Sequence, residues 1–479
     1  MLLNINLRAF SRRGINMHNE HSLKMRTRPI GRLIASMSIP AMFSMLIQAL
    51  YNIIDTYYVA KIDISNDYYI TALGYAFPIQ ILILAFSLGI GIGTNVMVAK
   101  KLGEQNKEEA SNIARTGIVM AIIGAVIFFI LSFIIINPYM NFMSKNQTIV
   151  NAGSLYLKII LLFSSFSIME IVLTKILQGM GRMLVPMFAQ LIGAITNIIL
   201  DPVFIFGFWF IPAMGVQGAA IATVISQCLA LLFVLGVLIF RKNEIYLGLK
   251  KFKIKLKYVL QIIQVGLPSM IMNVIGSLSN IFLNKILTSH DPSEVANGVL
   301  VSYTKLQSFV FMPVFGLNQG GIPILSYNYG ANIKERFVKA QKVLYTSAVV
   351  IMVFGFLIFQ LFPRTLLSIF SPSSDLISMG EGALRRISLA FIPAGVGIIT
   401  TITYQSLGKG FVALIMSVSR QALLLIPLAY MLGQIGGIDS VWYAFPIAEA
   451  IIAIVFSIIL VGVVKKAFML KSKEGVING

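Results

Sequence analysis

A chain of 479 residues with 57% hydrophobic and only 12% charged residues cannot clothe a water-facing surface, where about 25% charge is usual. The formal net charge of +20 would suit a nucleic-acid binder, but it coexists with long stretches that carry no charge, which exclude a soluble domain. One cysteine, Cys228, excludes an intrachain disulfide and a thiolate metal cluster, and the three histidines, His18, His21 and His290, all lie outside the apolar runs.

Residues 1–28 are polar and basic and lack the apolar core of a secretory signal, so they are expected to form a cytoplasmic tail, with Met17 and Met25 as alternative starts. Apolar runs punctuated by charge, Gly and Pro then predict helices over about 33–60, 70–99, 110–136, 150–179, 184–208 and 215–240. After the basic stretch 241–257, six more follow over about 258–287, 296–326, 336–362, 379–407, 411–432 and 440–464. The expected fold is an all-α integral membrane protein of twelve transmembrane helices in two six-helix bundles. The division is an N-terminal bundle over 29–240, a cytoplasmic linker over 241–257, a C-terminal bundle over 258–466 and a cytoplasmic tail over 467–479.

Twelve spans put both termini on one face, and Lys and Arg decide which. Of 38 such residues, 28 fall on the face that carries the termini and four on the other, which predicts cytoplasmic termini. The basic excess therefore follows topology, and no nucleic-acid partner is expected. The alternating lysines of 241–257 suit contact with anionic membrane lipid.

The two halves repeat at an offset of about 227 residues. Gly89 through Gly103 aligns with Gly316 through Gly330, and Gln178-Gly-Met-Gly-Arg182 with Gln405-Ser-Leu-Gly-Lys409. Pro40 and Asn52 match Pro268 and Asn280. Six helices per half make the repeats parallel, related by a pseudo-two-fold axis along the membrane normal. That is an arrangement of alternating-access transporters.

Among 18 acids, only Asp55, Glu170, Asp201 and Glu449 lie well inside predicted spans. Each ionised group there costs about 2.5–3.5 kcal/mol on insertion scales, so each is a functional candidate unless paired. Asp55 lies ~33 Å along its helix and Asp201 ~25 Å along its own, both in the outer half of the first repeat. Asn197 and Asp201 are four apart and share one helix face, where an amide beside a carboxylate can hold a cation. Gln48, Tyr51 and Asp55 make a polar stripe on the first helix, and Pro202 weakens the fifth helix beside Asp201. The second half lacks matching acids, with Leu283 at the place of Asp55. Arg420 and Glu449 fall at similar mid-membrane depths on adjacent helices and are expected to form a structural ion pair. Lys175, near the inner end of the fourth helix, is expected to snorkel to the cytoplasm, and Met45, Met270, Met272 and Met312 could line an adaptable pocket.

No Walker loop, HExxH or GxSxG appears, so neither ATP use nor enzymatic activity is expected. The stretch Gln178-Gly-Met-Gly-Arg, Asn197-Ile-Ile-Leu-Asp-Pro-Val-Phe-Ile-Phe-Gly207 and Gly215-Val-Gln-Gly-Ala-Ala resembles the multidrug and toxic compound extrusion (MATE) family. So do Pro40 through Tyr51-Asn-Ile-Ile-Asp55 and Pro323-Ile-Leu-Ser-Tyr-Asn-Tyr-Gly330. The resemblance covers roughly 30–465 and implies cation-coupled export of varied drugs, often organic cations, across a bacterial plasma membrane. It implies a coupling site at Asp55, Asn197 and Asp201, driven by H+ or Na+ with no other cofactor. It also implies substrate contacts at Gln48, Tyr51, Asn52, Asp55, Gln178 and Asp201, in a protein expected to act as a monomer. Thr174-Lys175 stands where MepA-like relatives carry an acid–amide pair, and the C-terminal acids of the NorM subgroup are absent. The alternative reading is a flippase of lipid-linked oligosaccharide or lipid from the same superfamily.

Overall fold

The computed structural model describes residues 20–62, 68–241, 243–250, 252–291, 293, 295–368 and 374–477, with some side chains, those of Asn52 and Asp55 among them, outside the described set. Among the described residues the chain is helical, with one isolated β-bridge between Phe208 and Ile211. The first repeat holds α1 (Glu20–Thr27), α2 (Ile30–Ala60), α3 (Tyr68–Gly103), α4 (Lys107–Ile134), α5 (Ile136–Met143), α6 (Gln147–Leu162), α7 (Ser164–Gly179), α8 (Leu184–Phe206) and α9 (Val216–Phe240). The second holds α10 (Leu256–His290), α11 (Val295–Gly330), α12 (Lys334–Leu361), α13 (Pro363–Ser368), α14 (Ser374–Ser388), α15 (Phe391–Ser406) and α16 (Gly410–Val418). A π-helical turn, Ser419–Leu425, leads on to α17 (Ile426–Val441) and α18 (Ala444–Ile477).

Among the described residues, ten helical segments are long and apolar enough to cross a membrane, or twelve when each of two bent pairs is one span. The expected single helices over 150–179 and 379–407 are each broken, α6 meeting α7 at 48° and α14 meeting α15 at 46°. In both bends a serine hydroxyl recovers a carbonyl: Ser164 donates to Leu161 O at 2.8 Å and Ser388 to Arg385 O at 3.0 Å. A bilayer supplies no water for such groups, so local side chains must.

The repeated motifs have a conformational cause. Gly181 (φ 79°) and Gly408 (φ 74°) end α7 and α15 in the left-handed region. In each the following residue, Arg182 or Lys409, returns its N–H five residues back, to Leu177 O at 2.9 Å and Tyr404 O at 2.8 Å. This is a Schellman cap, and only glycine enters it without a Cβ penalty. Asn106 caps α4, its side chain accepting from Glu109 N at 2.9 Å.

Contacts gather the chain into two units. One comprises Met1–Pro29, Leu46–Met270 and Ser326–Ala331, the other Ile30–Met45, Ile271–Leu325 and Asn332–Gly479. Helices α2 and α10 each contribute one part to each unit. Glycines set the packing inside both. In the first unit, Gly89 and Gly93 of α3 lie against Gly266, Met270 and Ile262 of α10; in the second, Gly316 and Gly320 of α11 lie against Met42 and Ser38 of α2. Within the first unit, a Cβ on Gly103 would fall on the Tyr327 carbonyl oxygen, and one on Gly330 on that of Lys100. Both partners in that crossing are related by the same offset of 227. Lipid provides no hydrophobic drive between helices, so close approach over small residues supplies dispersion contact instead.

The linker is docked on the first unit. Ile245 is buried, Tyr246 N donates to Ser111 Oγ at 3.0 Å, and Arg182 donates to Asn243 Oδ1 at 2.9 Å. The Arg115 guanidinium lies over the rings of Tyr246 and Phe252, at 5.4 and 4.6 Å from their centroids.

Substituting Gly103→Val or Gly330→Val should each lower the melting temperature in detergent, by a destabilisation of about 1–3 kcal/mol, because backbone rather than a flexible side chain blocks the new methyls. Gly236→Ala, which meets nothing within 4 Å, should instead raise it slightly.

Candidate ion-coupling site

Helix α8 runs through Pro202 and closes at Gly207 (φ 82°), from which the chain turns back into α9. Met214 N and Gly215 N donate to Phe204 O and Ile205 O at 2.9 and 3.0 Å, and Gly218 presses against the Phe204 backbone. This tight return lays α9 along α8 and sets Thr223 beside Asn197.

Asn197 and Asp201 face the interior of the first unit, 2% and 0% exposed. Asn197 Nδ2 donates to Asp201 Oδ1 at 3.1 Å and approaches Thr223 Oγ1 at 3.5 Å. The Thr223 hydroxyl itself donates to Ala219 O at 2.9 Å. With its amide nitrogen so engaged, Asn197 turns a buried Oδ1 that has no hydrogen-bond partner among the described residues. Pro202 cannot return an N–H to the carbonyl of Ile198, which adds an oxygen at the same depth. A carboxylate and an amide oxygen out of water are groups with which a hard cation or a proton can interact. Thr223, 26 residues away in sequence, is a member that sequence reasoning missed; its one signal was the helical spacing from Ala219.

Gln48 and Tyr51 lie half-buried on α2. The expected contributions of Asn52 and Asp55 fall on side chains outside the described residues. The rings of Tyr58 on α2 and Phe206 on α8 meet edge to face at 6.4 Å, which brings the ends of these two helices together just beyond Asp55 and Asp201.

Gln178, on α7, is 4% exposed and accepts from Lys175 Nζ at 3.0 Å. Lys175 therefore does not snorkel. It is 8% exposed, and its stem lies where a Cβ on Gly91 of α3 would come within 2.7 Å. Burial against a glycine and a hydrogen bond to Gln178 on its own helix outweigh the reach of the side chain to water. Met270 packs on Gly89, while Met45, Met272 and Met312 belong to the second unit. There, Arg420 Nη1 stands 3.3 Å from Glu449 Oε1. Among the described residues no group of three His, Cys, Asp or Glu side chains converges as a metal site.

The MatE family profile matches residues 40–203 and again 268–431. The multidrug export protein MepA of Staphylococcus haemolyticus is 25% identical over 441 residues, spanning 91% of this chain and 94% of its own. An FAD transporter of Shewanella oneidensis is 26% identical over 449 residues, 91% and 95% of the two chains. Among solved structures, a multidrug resistance MATE family transporter in an outward-facing conformation superposes with a TM-score of 0.88 at 25% identity, covering 94% of this chain and 98% of that one. A MOP superfamily transporter from Pyrococcus furiosus, described as having a binding pocket of reverse polarity, gives 0.87 at 25% identity with the same coverage.

In a Cys228→Ser background, Lys175→Cys should react with a water-soluble maleimide at least about tenfold more slowly than Lys250→Cys, whose position is exposed. Equal rates would place position 175 in water.

Proposed function

The chain belongs to the MatE family, and from that premise we propose that it exports varied, often cationic, drug-like molecules in exchange for H+ or Na+ bound at Asp55, Asn197 and Asp201. It is a membrane transporter and not an enzyme. The observation that carries the coupling assignment is the Asn197–Asp201 pair: fully buried, joined at 3.1 Å, and holding an amide oxygen with no hydrogen-bond partner among the described residues. A carboxylate kept out of water holds its charge at a cost that a proton or a metal cation relieves. Occupancy of this site then changes the energy of the first unit, which is the linkage an antiporter needs. The weak point at Pro202 lies directly beside the charge, so relief of the charge and a change in α8 are local to each other.

Multidrug efflux is supported by the similarity to MepA proteins over more than nine-tenths of both chains. Gln48, Tyr51, Asn52, Asp55, Gln178 and Asp201, all in the first unit, are the proposed substrate contacts. Alternating access, residence in the bacterial plasma membrane and cytoplasmic termini complete the proposal, the last supported by the 28-to-4 bias of Lys and Arg. A flippase of anionic lipid-linked sugars would need uncompensated deep cations. The buried Lys175 is engaged by Gln178, and the half-buried Arg420 stands 3.3 Å from the carboxylate of Glu449, which favours the drug-export reading.

In cells expressing the protein, Asp55→Asn and Asp201→Asn should each reduce ethidium export to near the level of cells without it, and Asn197→Ala should slow it about tenfold. Undiminished export by both aspartate variants would overturn the site. Collapsing the proton gradient alone, then the sodium gradient alone, identifies the coupling ion by which treatment stops export.

A further inference from the structure

The π-helical turn at Ser419–Leu425 carries a deep charge, Arg420. Such turns are rare and concentrate at functional sites, because the wider turn disrupts the regular hydrogen-bond ladder and re-aims side chains. Here it is tethered on two sides. Gln421 Oε1 accepts from Ser279 Oγ of α10 at 3.0 Å, and Arg420 Nη1 reaches Glu449 Oε1 of α18.

The ion pair is incompletely made. At 3.3 Å it is longer than the roughly 2.7–2.9 Å of a charge-assisted bond, and it uses one oxygen where a guanidinium usually takes two. Glu449 Oε2 is buried and has no hydrogen-bond partner among the described residues. Gly397 of α15 lies nearby: a Cβ there would come 3.5 Å from the Met416 methyl and 3.8 Å from Glu449 Oε2. A guanidinium offers five N–H donors. Arg420 spends one on Glu449, and its side chain keeps 25% of its surface exposed. A pair serving only to hold helices together in a low-dielectric setting must be fully hydrogen-bonded to repay desolvation. Among the described residues this one leaves Glu449 Oε2 without a hydrogen-bond partner and engages one guanidinium nitrogen, within the second unit.

We propose that Arg420 and Glu449 form a second substrate site, which binds amphoteric organic molecules through a carboxylate on Arg420 and an ammonium or N–H group on Glu449. The proposal rests on the export reading but concerns different residues and a different ligand group. A carboxylate completes the planar fork of the guanidinium, and a donor on the same molecule reaches Glu449 Oε2. Glu449 thus serves as an internal counter-ion when the site is empty and as a selectivity group when it is filled.

The test uses a rhodamine free acid and its methyl ester, which differ only in the carboxylate, with binding read by fluorescence anisotropy on the purified full chain. Arg420→Gln should lower the acid-to-ester affinity ratio about tenfold, and Arg420→Lys by less, since an ammonium keeps the charge but not the fork. Glu449→Gln removes the internal competitor for the guanidinium and should raise the ratio severalfold. An unchanged ratio in Arg420→Gln and Glu449→Gln overturns the proposal. So does an equal loss of both dyes and of thermal stability in Arg420→Gln that Arg420→Gln/Glu449→Gln restores, which marks a structural pair. Export is scored separately with ethidium: if wild type does not export it, the transport reading fails while the binding ratio still decides the site.

Discussion

A bilayer offers a helix no hydrogen-bond partner and no hydrophobic reason to touch its neighbour, and the rest of this molecule follows from that constraint. Backbone groups are satisfied within helices, and contact between helices comes from close approach. Close approach needs places without a Cβ. Gly103 against the Tyr327 carbonyl and Gly330 against that of Lys100 are such places, and the same offset relates both partners. The glycines at 89, 93, 316 and 320 do the same for α10 and α2 within their units. The wide apolar faces, for example Val126, Phe129, Ile130 and Phe133 on α4, remain exposed because lipid covers them.

The same constraint governs charge. Among the described residues, three deep ionisable groups are each tied to a polar partner: Asp201 to Asn197, Lys175 to Gln178, Arg420 to Glu449. The ties differ in completeness, and the differences carry the functional argument. At Asn197–Asp201 the open atom is a buried amide oxygen, which suits a cation. At Arg420–Glu449 one guanidinium nitrogen is engaged among the described residues, and a guanidinium suits an anionic group. The repeats share a scaffold of glycines, caps and bends, while their polar clusters have diverged: helices α8 and α9 hold the first, and the π turn with α18 holds the other.

The bends show how a scaffold can be repeated without repeated letters. Phe163 and Leu389–Ala390 mark equivalent breaks, yet the first has no proline nearby and the second precedes Pro393. What they share is a serine whose hydroxyl recovers the carbonyl three residues back. That solution leaves only a weak trace in sequence, since serine occurs throughout the spans.

The sequence by itself determined the helical membrane class, the repeat and its glycines, and the common face of Asn197 and Asp201. All of these depend on composition, fixed spacing or one helical turn, which local chemistry sets. Tertiary structure alone decided the rest: that α2 and α10 each divide between two packing units, that Thr223 meets Asn197, that Lys175 is buried, and that a π turn carries Arg420. Each depends on which neighbour fills the space beside a residue. Lys175 is the plainest instance, since its long side chain could reach water, while Gln178 and the glycine of a helix more than 80 residues away hold it inside.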